Sequence, residues 1–188
     1  MKMRCPWCES SDIYRKYHDE EWGVPVHDDN LFFEFLVLES AQAGLSWITI
    51  LKRREGYRNA FAGFNPEIVA NFDDSTIENL MHDASIIRNR RKITATIANA
   101  KAFLKIKTEF GSFDNYIWQF TNKKPIVNHF NLLSQVPAQT DIAIKISKDL
   151  KMRGFTFVGP TIVYSFMQAT GLVNDHIVSC YRHSELSA

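Results

Sequence analysis

The stretch LFFEFLVLESAQAGLSWITIL, residues 31–51, restricts the possible folds more than any other part of the chain. Leu31, Phe32, Phe33, Phe35, Leu36, Val37 and Leu38 point in nearly every direction of a 3.6-residue wheel. A helix apolar on all sides, in a chain with no run of ~18 apolar residues to span a membrane, belongs in a protein core. Asp28, Asp29 and Asn30 precede it as N-cap candidates, Gly44 stops it, and Ser46 can cap a second helix opening with Trp47. Glu39 projects between Phe32 and Phe35 on this apolar surface, with Gln42 a turn further on. A carboxylate there is costly unless something pairs with it. Either it reaches solvent or an arginine, or it is kept desolvated for a ligand.

The remaining segments also read as helices. Ser46–Phe61 is expected to form one helix with Trp47, Ile50, Leu51, Tyr57 and Phe61 inward. Asn65-Pro66 opens a short helix, and Asp73, Asp74 or Ser75 caps another through Met81. Ile93, Ile97, Ala100, Phe103 and Leu104 recur at helical spacing in a long basic helix that Gly111 ends. Phe113–Phe120 and Asp141–Met152 follow, and Gly159–Thr170 is a second apolar helix with Pro160 at a tolerated first-turn position. A C-terminal helix is expected around Asn174–Tyr181, then a frayed tail. Strand signals are limited to Phe155–Val158. At 188 residues, the chain is expected to be one all-α domain over 1–188, built as two helical lobes.

The net charge of +1, from 22 basic and 21 acidic residues, does not announce nucleic acid. The distribution of charge is more informative. Residues 84–108 contain no acid but hold Arg88, Arg90, Arg91, Lys92, Lys101, Lys105 and Lys107. Within them, DASIIRNRRKI (83–93) has the layout of a helix–hairpin–helix over about 75–104. Hairpin amides and the following helix N-terminus can grip a phosphate, with Ser85 where the usual form has glycine, and Arg88, Arg90 and Lys92 adding charge. The plain alternative is a helical connection with a solvated basic face.

The N-terminus, MKMRCPWCES, has no apolar leader core, so a cytoplasmic protein is expected. Three cysteines suit thiols or metal ligands better than disulfides. His176 and Cys180, four apart, would share one face of a helix. Cys5 and His18 supply the other half of a set, with Cys8 as a spare. Two thiolates and two imidazoles make a closed tetrahedral site of structural zinc type, one ion per chain. It would tie the aperiodic segment about 5–18 to 176–180. Trp7, Tyr14, Tyr17 and Trp47 lie in or near irregular segments and could sandwich a flat base. A cationic base would gain from the ring faces and from Glu39.

Five blocks in one register, YHDEEWGVP (17–25), LESAQAGLSWITILKRRE (38–55), DASIIRNRRKI (83–93), KMRGFTFVGPTIVYSFMQATGLVNDH (151–176) and the closing Cys180, closely resemble the 3-methyladenine DNA glycosylase I (Tag) family. The resemblance implies an all-α helix–hairpin–helix glycosylase fold and a monofunctional hydrolase. Such an enzyme removes 3-methyladenine from alkylated double-stranded DNA and leaves an abasic site. It places structural zinc on Cys5, His18, His176 and Cys180, leaving Cys8 outside the set. Base recognition falls on Glu39, the candidate catalytic residue, and on Tyr17 and Trp47, with Trp7 and Tyr14 close by. No aspartate is assigned a catalytic role. A monomer is expected, and no membrane partner. A zinc-stabilised module that recognises damage without cutting is the competing reading.

Overall fold

The computed structural model of the protein describes residues 2–187; Met1 and Ala188 of the expected 1–188 domain lie outside the described residues. Eleven helices carry these residues: α1 (Asp12–Glu20), α2 (Asp29–Gln42), α3 (Trp47–Leu51), α4 (Arg54–Ala60), α5 (Pro66–Val69), α6 (Asp74–His82), α7 (Arg90–Phe110), α8 (Phe113–Trp118), α9 (Asp141–Met152), α10 (Pro160–Ala169) and α11 (Tyr181–Glu185). Two short strands, β1 (Ile126–Val127) and β2 (Val173–Asn174), pair in parallel.

The apolar stretch does become the central helix. Asp28 caps α2 by accepting from Leu31 N at 2.8 Å, and Phe32 through Ala41 are all buried. α2 packs against α3, α4, α7 and α8, and against α10 from the C-terminal half. The two expected lobes therefore share one continuous core. Asp73, Asn89 and Thr140 cap α6, α7 and α9 through their side chains, each satisfying an otherwise orphaned first-turn amide.

Gly171 marks a backbone crossing that later shapes the site. It has φ +70°, and a Cβ there would sit 2.4 Å from Pro25 N. Gly23 N donates to Gln168 O and Val26 N to Thr170 O. The α1–α2 connection is thus strapped to the end of α10.

Four expectations change. The helix expected over Ser46–Phe61 divides into α3 and α4, because Arg53 leaves helical backbone at φ −103°, ψ 2°. Its Nη1 donates instead to Ala84 O at 2.6 Å, and Gly56 approaches Ser85 so closely that a Cβ would lie 2.6 Å from Ser85 O. Asn174–Tyr181 is not a helix: β2 leads into a turn that ends at Cys180, the N-cap of α11. Pairing with β1 holds the backbone extended there. The tail is ordered as α11. Phe155–Val158 forms the α9–α10 hairpin and no strand; Phe157 turns it with a left-handed φ of +54°.

Candidate functional site

A cavity of about 310 Å³ opens beside the C-terminal half of α2. Its lining is Trp7, Tyr14, Tyr17, Trp22, Glu39, Gln42, Trp47, Leu133, Val136, Ser165, Gln168 and Asp175. All five residues expected to bind a base, Glu39, Tyr17, Trp47, Trp7 and Tyr14, are brought together here. The rings brace one another: Trp7 meets Tyr14 and Trp22 edge-on at 5.5 and 5.1 Å, and Tyr17 lies 5.5 Å from Trp47. Tyr14 is further pinned by accepting from Ile48 N at 2.9 Å. Trp47 Nε1 is a buried donor with no partner among the described residues.

Glu39 is 4% exposed, and burial pushes its carboxyl up to about 8. No described arginine pairs with it. The arginines of α4 go to a different acid, Glu34: Arg54 Nε and Arg58 Nη2 donate to its Oε1 at 2.6 and 2.9 Å, while Arg54 Nη1 holds Glu21. The structural ion-pair role that sequence leaves open for Glu39 is thus filled by Glu34. Burial first, and the Glu39 charge second, raise the phenol of Tyr17 well above its ordinary range. The cavity therefore favours neutral acids when empty, and a cation entering it would stabilise the Glu39 carboxylate.

Cys5, His18, His176 and Cys180 converge in a buried cluster whose ligand atoms all lie within 4.8 Å of one another. Cys180 Sγ lies 3.4 Å from His18 Nε2 and 3.5 Å from His176 Nδ1; Cys5 Sγ lies 3.6 Å from His176 Nδ1; the two imidazole nitrogens are 3.2 Å apart. Tetrahedral bonds of about 2.3 Å to sulfur and 2.05 Å to nitrogen require S–N edges of about 3.55 Å and an N–N edge of about 3.35 Å. The residues fit such an ion. Their outer contacts fix the tautomers: His18 Nδ1 bonds Asp19, which Arg4 clamps, and His176 Nε2 donates to Trp22 O at 2.9 Å. Cys8 is outside the set, because its thiol donates to Cys5 O at 3.1 Å. The ligands His176 and Cys180 meet across a turn, not along a helix face.

The residues expected at phosphates divide. Ser85 and Arg88 are exposed on the α6–α7 connection, and Arg90 is exposed at the start of α7. Ser85 borders an open cleft of about 450 Å³ with Thr49, Lys52, Arg53 and Gly56, and Arg90 pairs with Glu78. Lys92 faces the other way: its Nζ donates to Ala41 O and Ala43 O at 2.8 and 2.6 Å, closing the end of α2. It is a helix cap, and no phosphate ligand. The α9–α10 connection has the glycines that 83–89 lacks. Gly154 is left-handed at φ +96°. The carbonyls of Thr156, Phe157 and Val158 are taken by Asn99, Ser40 and Ser147, so this hairpin's acceptors point inward.

Sequence reasoning missed Trp22, Leu133, Val136, Ser165, Gln168 and Asp175 as cavity residues. Ser165 and Gln168 carried a signal, two polar side chains one turn apart in the largely apolar α10. Leu133 and Val136 come from an irregular loop and carried none.

This arrangement agrees with comparisons to known proteins. Residues 7–183 match the model of the methyladenine glycosylase family. DNA-3-methyladenine glycosylase 1 of Escherichia coli K12 is 50% identical over 177 residues, covering 94% of this chain and 95% of that protein. A crystal structure of 3-methyladenine DNA glycosylase I superposes with a TM-score of 0.93 at 46% identity, over 95% of this chain and 98% of that one. The Staphylococcus aureus 3-methyladenine DNA glycosylase I, solved to explain 3-methyladenine recognition, gives 0.92 at 40% identity over 95% of each chain. With the family model matched over residues 7–183 and a relative 50% identical over 94% of the chain, the chain belongs to the methyladenine glycosylase family.

Proposed function

We propose that the protein hydrolyses the N-glycosidic bond of 3-methyladenine in alkylated double-stranded DNA, releasing the base and leaving an abasic site. The observation that carries this reading is Glu39: a buried carboxylate without an ion-pair partner, opening onto a cavity walled by aromatic rings. N3-methylation makes the purine of the nucleotide cationic and a ready leaving group. Little acid catalysis is then required of the protein. Its residues have to receive the extruded base, hold its edge and admit the water that attacks the sugar carbon as the base leaves.

Trp7, Tyr14, Tyr17 and Trp47 supply faces and edges for a flat cation, and Glu39 accepts hydrogen bonds from its edge. The Glu39 proton leaves as the cationic base enters, so the pair forms where neither charge meets bulk water. Leu45, exposed in the turn between the cavity residues Gln42 and Trp47, is placed to enter the stack the base has left. Phosphates are gripped at Ser85, Arg88 and Arg90, and at the amides of residues 157–159 leading into α10, those of 153–156 being taken within the fold. These contacts belong to one domain acting as a monomer in the cytoplasm, where DNA is. No described helix is long and apolar enough to cross a membrane.

The ion of the four-ligand cluster is zinc. Four protein ligands leave no open position for water, so it contributes folding energy and not chemistry. Cys5 and His18 anchor the segment that carries Trp7, Tyr14, Tyr17 and Trp22. Two walls of the cavity are held through one ion.

Incubation with methylated duplex DNA tests the reading. Free 3-methyladenine and alkali-labile abasic sites are expected. Tight binding to the same DNA with no base released would favour the competing reading, a damage-binding module.

A further inference from the structure

Glu39 is not the only acceptor that faces the cavity. Gln168 of α10 also lines it, and its amide is not free to turn. Gln168 Nε2 donates to Asp175 Oδ2 at 2.8 Å. The same oxygen accepts from the buried hydroxyl of Tyr164, and Oδ1 accepts from Asn128 Nδ2 at 2.7 Å. Asp175 is 1% exposed, so these three donors fix it completely. A carboxylate accepts and does not donate. Gln168 must therefore turn its NH₂ to Asp175 and its carbonyl oxygen away. That oxygen, Oε1, takes no hydrogen bond from a described residue, and it is not among the buried polar atoms left without a partner. It is open to the cavity.

We propose that Gln168, positioned by Asp175, selects the base: its fixed acceptor favours a purine with an exocyclic amine over one with an oxo group at the same ring position. An amine meets Oε1 with an N–H. An oxo group meets it oxygen to oxygen, losing the bond and leaving two desolvated acceptors face to face. Trp47 Nε1, a buried donor without a partner, suits the ring-nitrogen acceptors of either base and so does not discriminate. Gln168 is a specificity residue beside Glu39, and Asp175 is its positioning residue. Both roles rest on the reading of the cavity as a base site.

The test titrates the metal-loaded protein with free 3-methyladenine and with 3-methylhypoxanthine, its 6-oxo counterpart, following quenching of the cavity tryptophans. Wild type is expected to prefer the amine by about tenfold or more. Gln168→Leu should lower the ratio severalfold, leaving only the part that Glu39 contributes. Asp175→Asn, which can offer its own NH₂ and let the glutamine amide turn over, should move the ratio the same way with metal content unchanged. A merely structural role for Asp175 would weaken both bases equally and keep the ratio. Should Gln168→Leu fail to fold, Gln168→Asn, one methylene short, gives the same readout. A wild-type ratio in the glutamine variants overturns the proposal. Failure of the wild type to bind either base overturns the base-site reading instead.

Discussion

Ser40 Oγ donates to the carbonyl oxygen of Phe157 at 3.2 Å, so the residue after Glu39 holds the hairpin between α9 and α10. Phe157 is left-handed, which a bulky aromatic residue adopts only under constraint. The 153–159 hairpin, proposed above to meet DNA phosphates, is thus fixed from the helix that carries Glu39. Ser40→Ala should cost about 1 kcal/mol in urea unfolding and weaken binding to undamaged duplex. A loss of stability with unchanged duplex binding would remove the hairpin from the DNA interface.

Arg88 and Lys92 are close in sequence but should behave differently. Arg88→Ala should lower the salt dependence of duplex binding by about one unit of slope, for damaged and undamaged DNA alike. Lys92→Met should leave that slope in place and reduce stability, because the α2 carbonyls of Ala41 and Ala43 lose their donor. Equal slopes in wild type and Arg88→Ala would put the phosphates elsewhere.

Purified protein should carry one zinc per chain. Cys180→Ser should lose metal and thermal stability together, and Cys8→Ser should keep both, because Cys8 only donates to the Cys5 carbonyl. Full stability after chelation would refute a structural ion.

Much of this was legible in sequence because it rests on local rules. α2 is apolar all round and preceded by capping residues, so its burial could be read directly, while Glu39 stayed open between solvent, an arginine and a ligand. The cluster of two thiols and two imidazoles was legible from residue types, but these left Cys5 and Cys8 open, and the family resemblance chose Cys5. The rest depends on tertiary partners. Nothing local says that Glu34, not Glu39, captures Arg54 and Arg58, that Lys92 turns back onto α2, or that β2 replaces a helix before His176. The aromatic cavity was legible only on one side. Its other wall, Leu133, Val136, Gln168 and Asp175, is assembled by the crossing at Gly171 and by a long loop, which no period in the sequence reports.

Glu34 and Glu39 lie five residues apart on α2 and are equally buried, yet their removal should have opposite consequences. Glu34→Ala removes the acceptor that Arg54 and Arg58 share, while Arg54 keeps Glu21 and Arg58 keeps Glu55; it should cost about 1.5–3 kcal/mol, seen as a lower urea midpoint with little change in 3-methyladenine affinity. Undiminished stability in that variant would mean that the arginines do not depend on it.

Glu39→Gln tests the central claim most directly, measured for excision and for stability across pH. The Glu39 carboxyl is raised to about 8 by burial, from about 4.5 in the open chain. A raised carboxyl stabilises the fold fully below the unfolded value, and that stability is lost as pH rises through the folded value. Wild type and Glu39→Gln should therefore be about equally stable near pH 4, with the variant becoming the more stable between pH 4.5 and 8. The gap should reach a few kcal/mol. Over the same range the variant should excise 3-methyladenine about ten- to a hundredfold more slowly, through loss of a charge-assisted hydrogen bond, while binding undamaged duplex as wild type does. A more stable, poorly excising variant is the predicted result. Wild-type excision, or stability falling together with activity, would contradict the account.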